Sequence, residues 1–571
     1  MKKINSDYPL LLLLMAIMLS VSWLLPNHQQ PWTSFHSDFL TAIVLIIGCI
    51  FFFFLNNKNI SAKLDMVSIG VIGFFLVCVV QYLTGKIFSL GTLWINCLYI
   101  LGLFIALVIG RWWHEANPQQ ILILLFASAF IGALLSVAIQ IYQLFDFYFL
   151  DIWIINNIKS RYFGNLGQPN QLGSLLLLGI LGLIWFFLKE KIHPKIFIFL
   201  GVFLFFGLSL TESRTGWLNV FFIFSALVWW RKIPEVKRLF PFFLLFIGCY
   251  IFFIVCIPYI NNWIHQTNSV SEARGFSDSA RLNIYYVLFK ATLIEPWTGY
   301  GWGQLRHAQF SEELIPIDNI RGTLGHAHNL VFDLMIWNGI PIGILFSGIL
   351  FFWFFIVIKS ITNSDQLIMF LFVMVLLIHG MLEFPLQYGY FLFPFGLMMG
   401  AISDSAKIKY YFEFSKYFII ALLIIGLSGL IITTRDYLII EDTPLRLMEF
   451  KSENQNKDDL YIPDVWVLED LRDNIVLSQK NPKSFHSEQD IKWAEDVVKT
   501  TFGANSMLQL AMMYSFSGKH KNVYFWQHFS CRATQESGCK KYQEKWEKLS
   551  TKYPEFAASG WHPDFFKENK N

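Results

Sequence analysis

Charge is scarce in this chain. Of its 571 residues, 15% are Asp, Glu, Lys or Arg, against about a quarter in a soluble globular domain. That excludes an ordinary water-soluble protein of this length. A net charge of only +3 leaves no electrostatic footprint for nucleic acid. Cysteine is sparse too: the seven form no CxxC or other zinc spacing, and no HExxH or Asp-x-Asp pair lies in the polar segments. No metal or other cofactor is therefore expected. A small-x-small cleavage site is also missing after Met1-Lys2-Lys3 and the apolar run Leu10–Leu25. Many further apolar runs follow, so the first reads as a transmembrane helix rather than a removable signal.

What the chain has is hydrophobicity, 55% of all residues. A bilayer span needs about 20 apolar residues. Candidate spans lie near 8–25, 38–55, 66–83, 92–110, 121–140, 171–188, 195–212, 214–230, 239–258, 341–358, 366–382, 386–402 and 417–433. The expected fold is all-α: a polytopic helical membrane protein of about 12–13 spans with a soluble helical domain at its C-terminus. The stretch 328–358 is too long for one simple span. Asn338-Gly339-Ile340-Pro341 can break it and leave a short helix over 328–337. Residues 1–140 read as N-terminal spans, 141–433 as a core with two long loops (141–170 and 259–327), and 434–571 as the soluble tail. Loops that long are usually functional or disordered. Trp, Tyr and Phe among their polar residues favour order.

Lys and Arg set the orientation. With the N-terminus inside, 16 of the 25 in residues 1–432 fall on the cytoplasmic side and nine on the outer side. An odd span count places the tail outside as well. The kind of charge differs between the sides. Six of the outer nine are arginine (Arg161, Arg214, Arg274, Arg281, Arg306, Arg321), against three of the inner 16. Arginine grips phosphate or carboxylate with a planar fork. The excess points to an anionic ligand on the outer side; structural salt bridges are the alternative.

The tail reads as helical, with amphipathic stretches at Leu460–Leu477 and Ile491–Val498. Ser506–Phe529, turning at Ser517-Gly518-Lys519, resembles one helical hairpin of the tetratricopeptide kind; a plain helical bundle reads equally well. Cys49, Cys78, Cys97, Cys249 and Cys256 fall in spans as packing residues. Cys531 and Cys539 are alone in the tail and are expected to be bridged in an oxidising compartment.

Five elements carry chemistry. Arg161 to Leu172 holds Asn165, Gln168, Asn170 and Gln171 among two glycines and a proline. Amides suit sugar hydroxyls because they donate and accept without net charge; the same residues also suit a helix N-terminus. Thr211–Leu218 puts Arg214 at the membrane surface, where an ionisable group is a functional candidate, or a partner for Glu212. Arg281 opens a helix over 281–294 that leads to Pro296-Trp297-Thr298-Gly299-Tyr300-Gly301-Trp302-Gly303. That glycine run lacks the dinucleotide offset and reads as a flexible turn. His326 and His328 in Gly325-His326-Ala327-His328-Asn329 stand two apart, not on one helix face, which disfavours a two-histidine metal site. One of them can serve as a general base, or be structural. The fifth element, His379–Tyr388, carries Glu383 between two spans, placed to orient a base or pair with an outer arginine.

In order, these pieces resemble a known superfamily. Arg214 and Leu218, then Arg281 with Pro296, Gly299 and Gly301, then His328-Asn329 look like the O-antigen ligases. Gly164–Leu172, Leu382–Leu386 and the outward tail are similar to bacterial protein O-oligosaccharyltransferases of the PglL type. The resemblance covers about 160–400. It implies an inner-membrane enzyme that moves an oligosaccharide from undecaprenyl pyrophosphate to Ser or Thr of an exported protein such as a type IV pilin. It also implies an inverting reaction without metal. By position, His328, Arg281 and Arg214 become the catalytic group. Arg161, Asn165, Gln168, Asn170, Gln171, Arg321, His326, Asn329, Glu383 and Tyr388 become candidates for substrate contact. An O-antigen ligase or polymerase would share the arginines and histidine. A transporter would instead need polar groups deep in several spans and repeated halves, and neither is visible.

Overall fold

The computed structural model describes residues 9–55, 61–156, 161–265, 278–314, 322, 324–453, 460–482, 487–501 and 503–562. Among them helices stand at all the expected span positions. Eight are long and apolar enough to cross a membrane, from Phe35–Phe54 to Lys416–Glu441. The remaining five, Pro9–Ser22, Pro194–Leu210, Arg214–Trp229, Ser364–Gly380 and Gly389–Ser405, have 14 to 17 residues. The chain is an all-α polytopic membrane protein.

Small residues let the central helices approach closely, as they must where lipid offers no hydrophobic drive between helices. Leu90–Ala116 crosses Gly389–Ser405 so tightly that a Cβ on Gly110 would stand 2.1 Å from the Leu397 carbonyl oxygen. One departure from an all-helical chain is a two-stranded antiparallel ribbon, Ala62–Asp65 with Tyr410–Phe414. These connecting segments meet their backbone hydrogen-bonding needs by pairing with each other.

The bundle has two chemically different ends. Leu90–Ala116 is 27 residues long, about 40 Å at 1.5 Å per residue. Beyond its start Lys86 pairs with Glu295 at 3.0 Å; near its finish Arg111 pairs with Asp65 at 3.1 Å. Lys189–Asp365 and Lys63–Glu115 also lie at the Arg111 end. The long loops and the tail lie at the Lys86 end, called the loop face below.

The break expected near Gly339 is present, between helices Leu330–Asn338 and Ile340–Ser360. The glycine run that reads as a flexible turn is instead docked onto it. Tyr300 N donates to Ile336 O (2.9 Å), Gly301 N to Trp337 O (3.1 Å) and Ile340 N to Pro296 O (2.7 Å). The turn thus satisfies carbonyls that a helix end leaves open. Gly339 has φ +80°, and a Cβ there would meet the Trp297 carbonyl at 2.4 Å.

Lys416–Glu441 continues eight residues past its expected end. Its buried Asp436 accepts from the N–H groups of Trp466 (2.8 Å), Val467 (2.7 Å) and Leu468 (3.2 Å). The helix expected from Leu460 therefore starts only at Glu469: Pro463 has no N–H to give, and the donors of Trp466, Val467 and Leu468 are taken by Asp436. Glu469 in turn accepts from Leu90 N at 2.9 Å, which seats the tail on the loop face. Ala504–Phe516 and His520–Arg532 form a helical hairpin around Met507, Leu510, Trp526 and Phe529. Cys531 and Cys539 are bridged.

Candidate functional site

Four of the five elements are described in atomic detail, and they converge on the loop face. The amide element turns at Gly164 (φ +59°) and Gly167 (φ +72°) before Pro169 starts the helix Pro169–Leu188. Gln143 holds the turn by bonding both Gly164 N and Gly164 O, at 3.0 and 2.9 Å. The four amides then divide. Gln168 Nε2 donates to Glu383 Oε2 at 2.6 Å, and Asn170 Nδ2 donates to Glu383 Oε1. Asn165, expected to meet a ligand, is buried instead. Its Nδ2 donates to Leu24 O and Trp153 O, both at 2.7 Å, and its Oδ1 accepts from Ile155 N. It shapes the loop. Gln171 is likewise inside, accepting from Tyr390 OH at 2.8 Å.

Asn170 joins the carboxylate to the arginines. Its Oδ1 accepts from Ser213 Oγ at 2.6 Å and from Arg161 Nη2 at 3.4 Å. Ser213 caps the helix Arg214–Trp229 through Gly216 N (2.9 Å), which leaves Arg214 exposed at its first position. Arg161 Nε donates to Thr211 O at 3.1 Å. Burial lowers the Arg161 pKa, Glu212 and Glu383 push it back up, and the Arg214 charge lowers it again. Two guanidinium groups and two carboxylates therefore share one electrostatic neighbourhood.

Glu383 has a third donor that the sequence reading left out of the site. His379, fully buried, bonds Ser174 Oγ through Nδ1 at 2.8 Å and Glu383 Oε2 through Nε2 at 3.2 Å. The four-residue spacing of His379 and Glu383 was the available signal. Burial pushes the Glu383 carboxyl up, but the bonds from His379 and Asn170 and the charges of His379 and His328 outweigh it, and its pKa lies below the usual value.

His328 enters from the other loop. It takes φ +54°, a left-handed conformation uncommon for residues other than glycine and a mark of local strain. Asn329 follows as N-cap of Leu330–Asn338: its Oδ1 accepts from Val331 N (3.0 Å) and Phe332 N (3.2 Å). Its Nδ2 donates to Met381 O at 3.3 Å. Asn329 is thus engaged as a cap. The Asn329–Met381 bond brings the histidine loop to the Glu383 turn, where His328 and His326 pack on the Phe384 ring at 5.3 and 4.4 Å. His326 is half-buried beside Arg306, and desolvation, then the Arg306 and His328 charges, pull its pKa down to about 3. It stays a neutral ring. Arg306, missed as a site neighbour, is seated against Gly325, whose Cβ would come 3.3 Å from its Nη2.

Arg281 lies on the helix Asp278–Ile294, but its side chain is outside the described residues, as is Arg321 entirely. Four residues on, Tyr285 OH donates to His328 O at 3.4 Å, so this helix adjoins the histidine. Tyr388 stacks on Tyr390 at 5.1 Å. Tyr388 and His326 also line a cavity of about 440 Å³, mostly apolar, between the helices Met66–Leu83, Leu90–Ala116, Leu330–Asn338 and Gly389–Ser405. Arg161, Arg214 and Glu383 are not among its lining residues. Among the described residues, no group of three or more His, Cys, Asp or Glu is placed to hold a metal ion.

The site maps onto known families. Residues 163–187, which hold the four amides, match a family described as protein glycosylation ligase. Residues 199–347, which hold Arg214, Arg281 and His328, match O-antigen ligase. Residues 367–526, which hold Glu383 and Tyr388, match the C-terminal part of a virulence factor membrane-bound polymerase. The chain is 28% identical over 461 residues to a general O-oligosaccharyltransferase of Acinetobacter baylyi, covering 78% of this chain and 79% of that one. It is 28% identical over 409 residues to a ComP-specific O-oligosaccharyltransferase of the same organism, covering 70% and 72%.

Proposed function

From the premise that the chain belongs to the O-antigen ligase superfamily and is an O-oligosaccharyltransferase, we propose that it moves an oligosaccharide from undecaprenyl pyrophosphate to Ser or Thr of an exported, pilin-like protein. The loop face is then the periplasmic side of the inner membrane. The Lys/Arg bias of the short loops supports that orientation, and so does the tail disulfide, which needs an oxidising compartment. The amide element and tail favour a protein acceptor.

One observation carries the reading. The elements bearing Arg161, Arg214, Glu383 and His328, far apart in sequence, meet at one end of an apolar bundle. In the reaction, the acceptor hydroxyl oxygen attacks the anomeric carbon as the bond from that carbon to the pyrophosphate oxygen breaks. The hydroxyl proton passes to the His328 imidazole. Negative charge grows on the leaving pyrophosphate, where Arg214 and Arg281 meet it; donors aimed at developing charge are usually the largest catalytic contribution. One displacement inverts the anomeric configuration. The apolar cavity beside His326 and Tyr388 suits the polyprenyl chain. No metal enters this scheme.

The test is transfer by the His328→Ala protein to a co-expressed pilin-like acceptor, read by intact mass. The expectation is no transfer while the protein still accumulates in the membrane; near-normal transfer removes the base. The polymerase match over 367–526 supports a second reading, in which the acceptor is another lipid-linked glycan. Chain-lengthened lipid-linked product with unmodified exported proteins would favour it.

A further inference from the structure

The segment that delivers His326 and His328 is anchored at three points. Ala327 N donates to Asp333 Oδ1 at 2.8 Å. Leu324 exchanges two bonds with one side chain: its N donates to Gln309 Oε1 at 3.1 Å, and its carbonyl accepts from Gln309 Nε2 at 2.8 Å. Gly322 N donates to the Arg532 carbonyl at 2.9 Å. The first two anchors are local. The third comes from the tail.

Arg532 acts twice. Besides its carbonyl, its Nη2 donates to Gln309 Oε1 at 3.3 Å, the oxygen that also receives Leu324 N. The residue is 1% exposed. Burying a guanidinium is costly unless its bonds are used, so this placement is specific. The neighbouring Phe310 is clasped by the same tail helix, with ring centroids 5.2 Å from Trp526 and 4.9 Å from Phe529. The end of that helix is tied to the next by Cys531–Cys539, immediately before Arg532.

We propose that Arg532 is a positioning residue for transfer: through Gln309 and Gly322 it sets the place of the His326–His328 segment and makes the tail a working part of the site. This rests on the reading of His328 as base. Arg532 touches no substrate in this scheme. A base must lie within hydrogen-bond reach of its proton, and a displacement of about 1 Å can cost a hundredfold in rate. Loss of the link therefore lowers kcat, while donor binding at the arginines is little changed.

The experiment uses the purified full chain with a polyprenyl-pyrophosphate-linked oligosaccharide as donor. Arg532→Gln is expected to lower kcat about tenfold or more, with donor KM within about twofold. Arg532→Lys, which can still give Gln309 one bond, recovers part of the rate. Amide exchange at Leu324, whose acceptor Gln309 loses its Arg532 partner, accelerates, while Gly322 keeps the Arg532 backbone carbonyl and changes less. Gln309→Leu, which also cuts both Leu324 bonds, lowers kcat at least as much, and the double variant loses little more than Gln309→Leu alone, because the Arg532 side-chain bond is already gone there. Lys519→Ala, which breaks an exposed tail pair with Glu488, is unchanged. Wild-type kcat in Arg532→Gln overturns the proposal. So do additive losses with unchanged exchange. If Arg532→Gln fails to accumulate, Gln309→Leu leaves the tail intact, and wild-type kcat there overturns it equally. His328→Ala separates the two claims. Full transfer in that variant sinks the base assignment, whereas no transfer there beside normal Arg532→Gln sinks the positioning alone.

Discussion

Replacing Glu383 by alanine tests the centre of the site. The carboxylate is 7% exposed and receives Gln168 Nε2, Asn170 Nδ2 and His379 Nε2. Each buried donor left unmet costs about 1–3 kcal/mol. Water entering beside exposed Arg214 recovers part of that, so a net of about 3 kcal/mol is a fair working figure. At about 1.4 kcal/mol per tenfold, the productive arrangement falls by roughly two powers of ten. Asn170 is the conduit, because it also holds Ser213 and Arg161. Transfer by Glu383→Ala should drop to about 1% of wild type. Glu383→Gln keeps one accepting oxygen and should fall about tenfold. The pH dependence has a definite sign. The folded-state pKa lies below the usual value, so the stabilisation is present above the unfolded value, about 4.3, and is lost as pH falls through the folded one. The difference between wild type and Glu383→Gln should therefore stay constant from about pH 6 to 8. The assay is a timed reaction of purified protein read by acceptor mass. Glu383→Ala within about threefold of wild type would refute the argument.

Three further outcomes are expected. Arg281→Lys should be nearly as damaging as Arg281→Ala in the same assay, because lysine lacks the bidentate fork; full activity in the lysine protein counts against phosphate contact. Gly339→Ala should lower thermal stability far more than Gly85→Ala. Both have positive φ, but only at Gly339 would the new Cβ strike backbone, at 2.4 Å, whereas Gly85 has nothing within 4 Å. Equal melting shifts would show that the docked turn yields. A reporter fused after residue 571 should read as periplasmic, and a cytoplasmic reading would overturn the orientation and the side of the active site together.

The helices were legible because a bilayer core imposes one strong demand, a run of apolar residues with every backbone group bonded internally. Asn338-Gly339-Ile340-Pro341 announced its break for a similarly local reason: glycine readily leaves the helical conformation, and the proline behind it suits the first turn of a new helix. The tail was less legible. Leu460–Leu468 has helical periodicity, yet Asp436, some 30 residues away, takes three of its N–H groups. Periodicity cannot report a competing acceptor from elsewhere in the chain.

The same division runs through the site. Residue type and order, together with family resemblance, pointed to a glycan-transferring enzyme with arginines for an anion and a histidine for a proton. The way the amides divide needed three dimensions. Gln168 and Asn170 serve Glu383, while Asn165 serves Leu24 and Trp153, although all three sit within six residues. A turn sends neighbouring side chains to different surroundings, and sequence does not name those surroundings. Arg532 is the extreme case, lying 223 residues from the Gln309 it bonds. By itself the sequence determined the membrane fold, its two unlike ends and the chemical repertoire on one of them, because hydropathy, charge and residue chemistry are properties of the residues. Only the tertiary structure decided which of those groups face one another and that the tail holds the histidine loop, because hydrogen bonds act over about 3 Å and depend on distances that chain order does not carry.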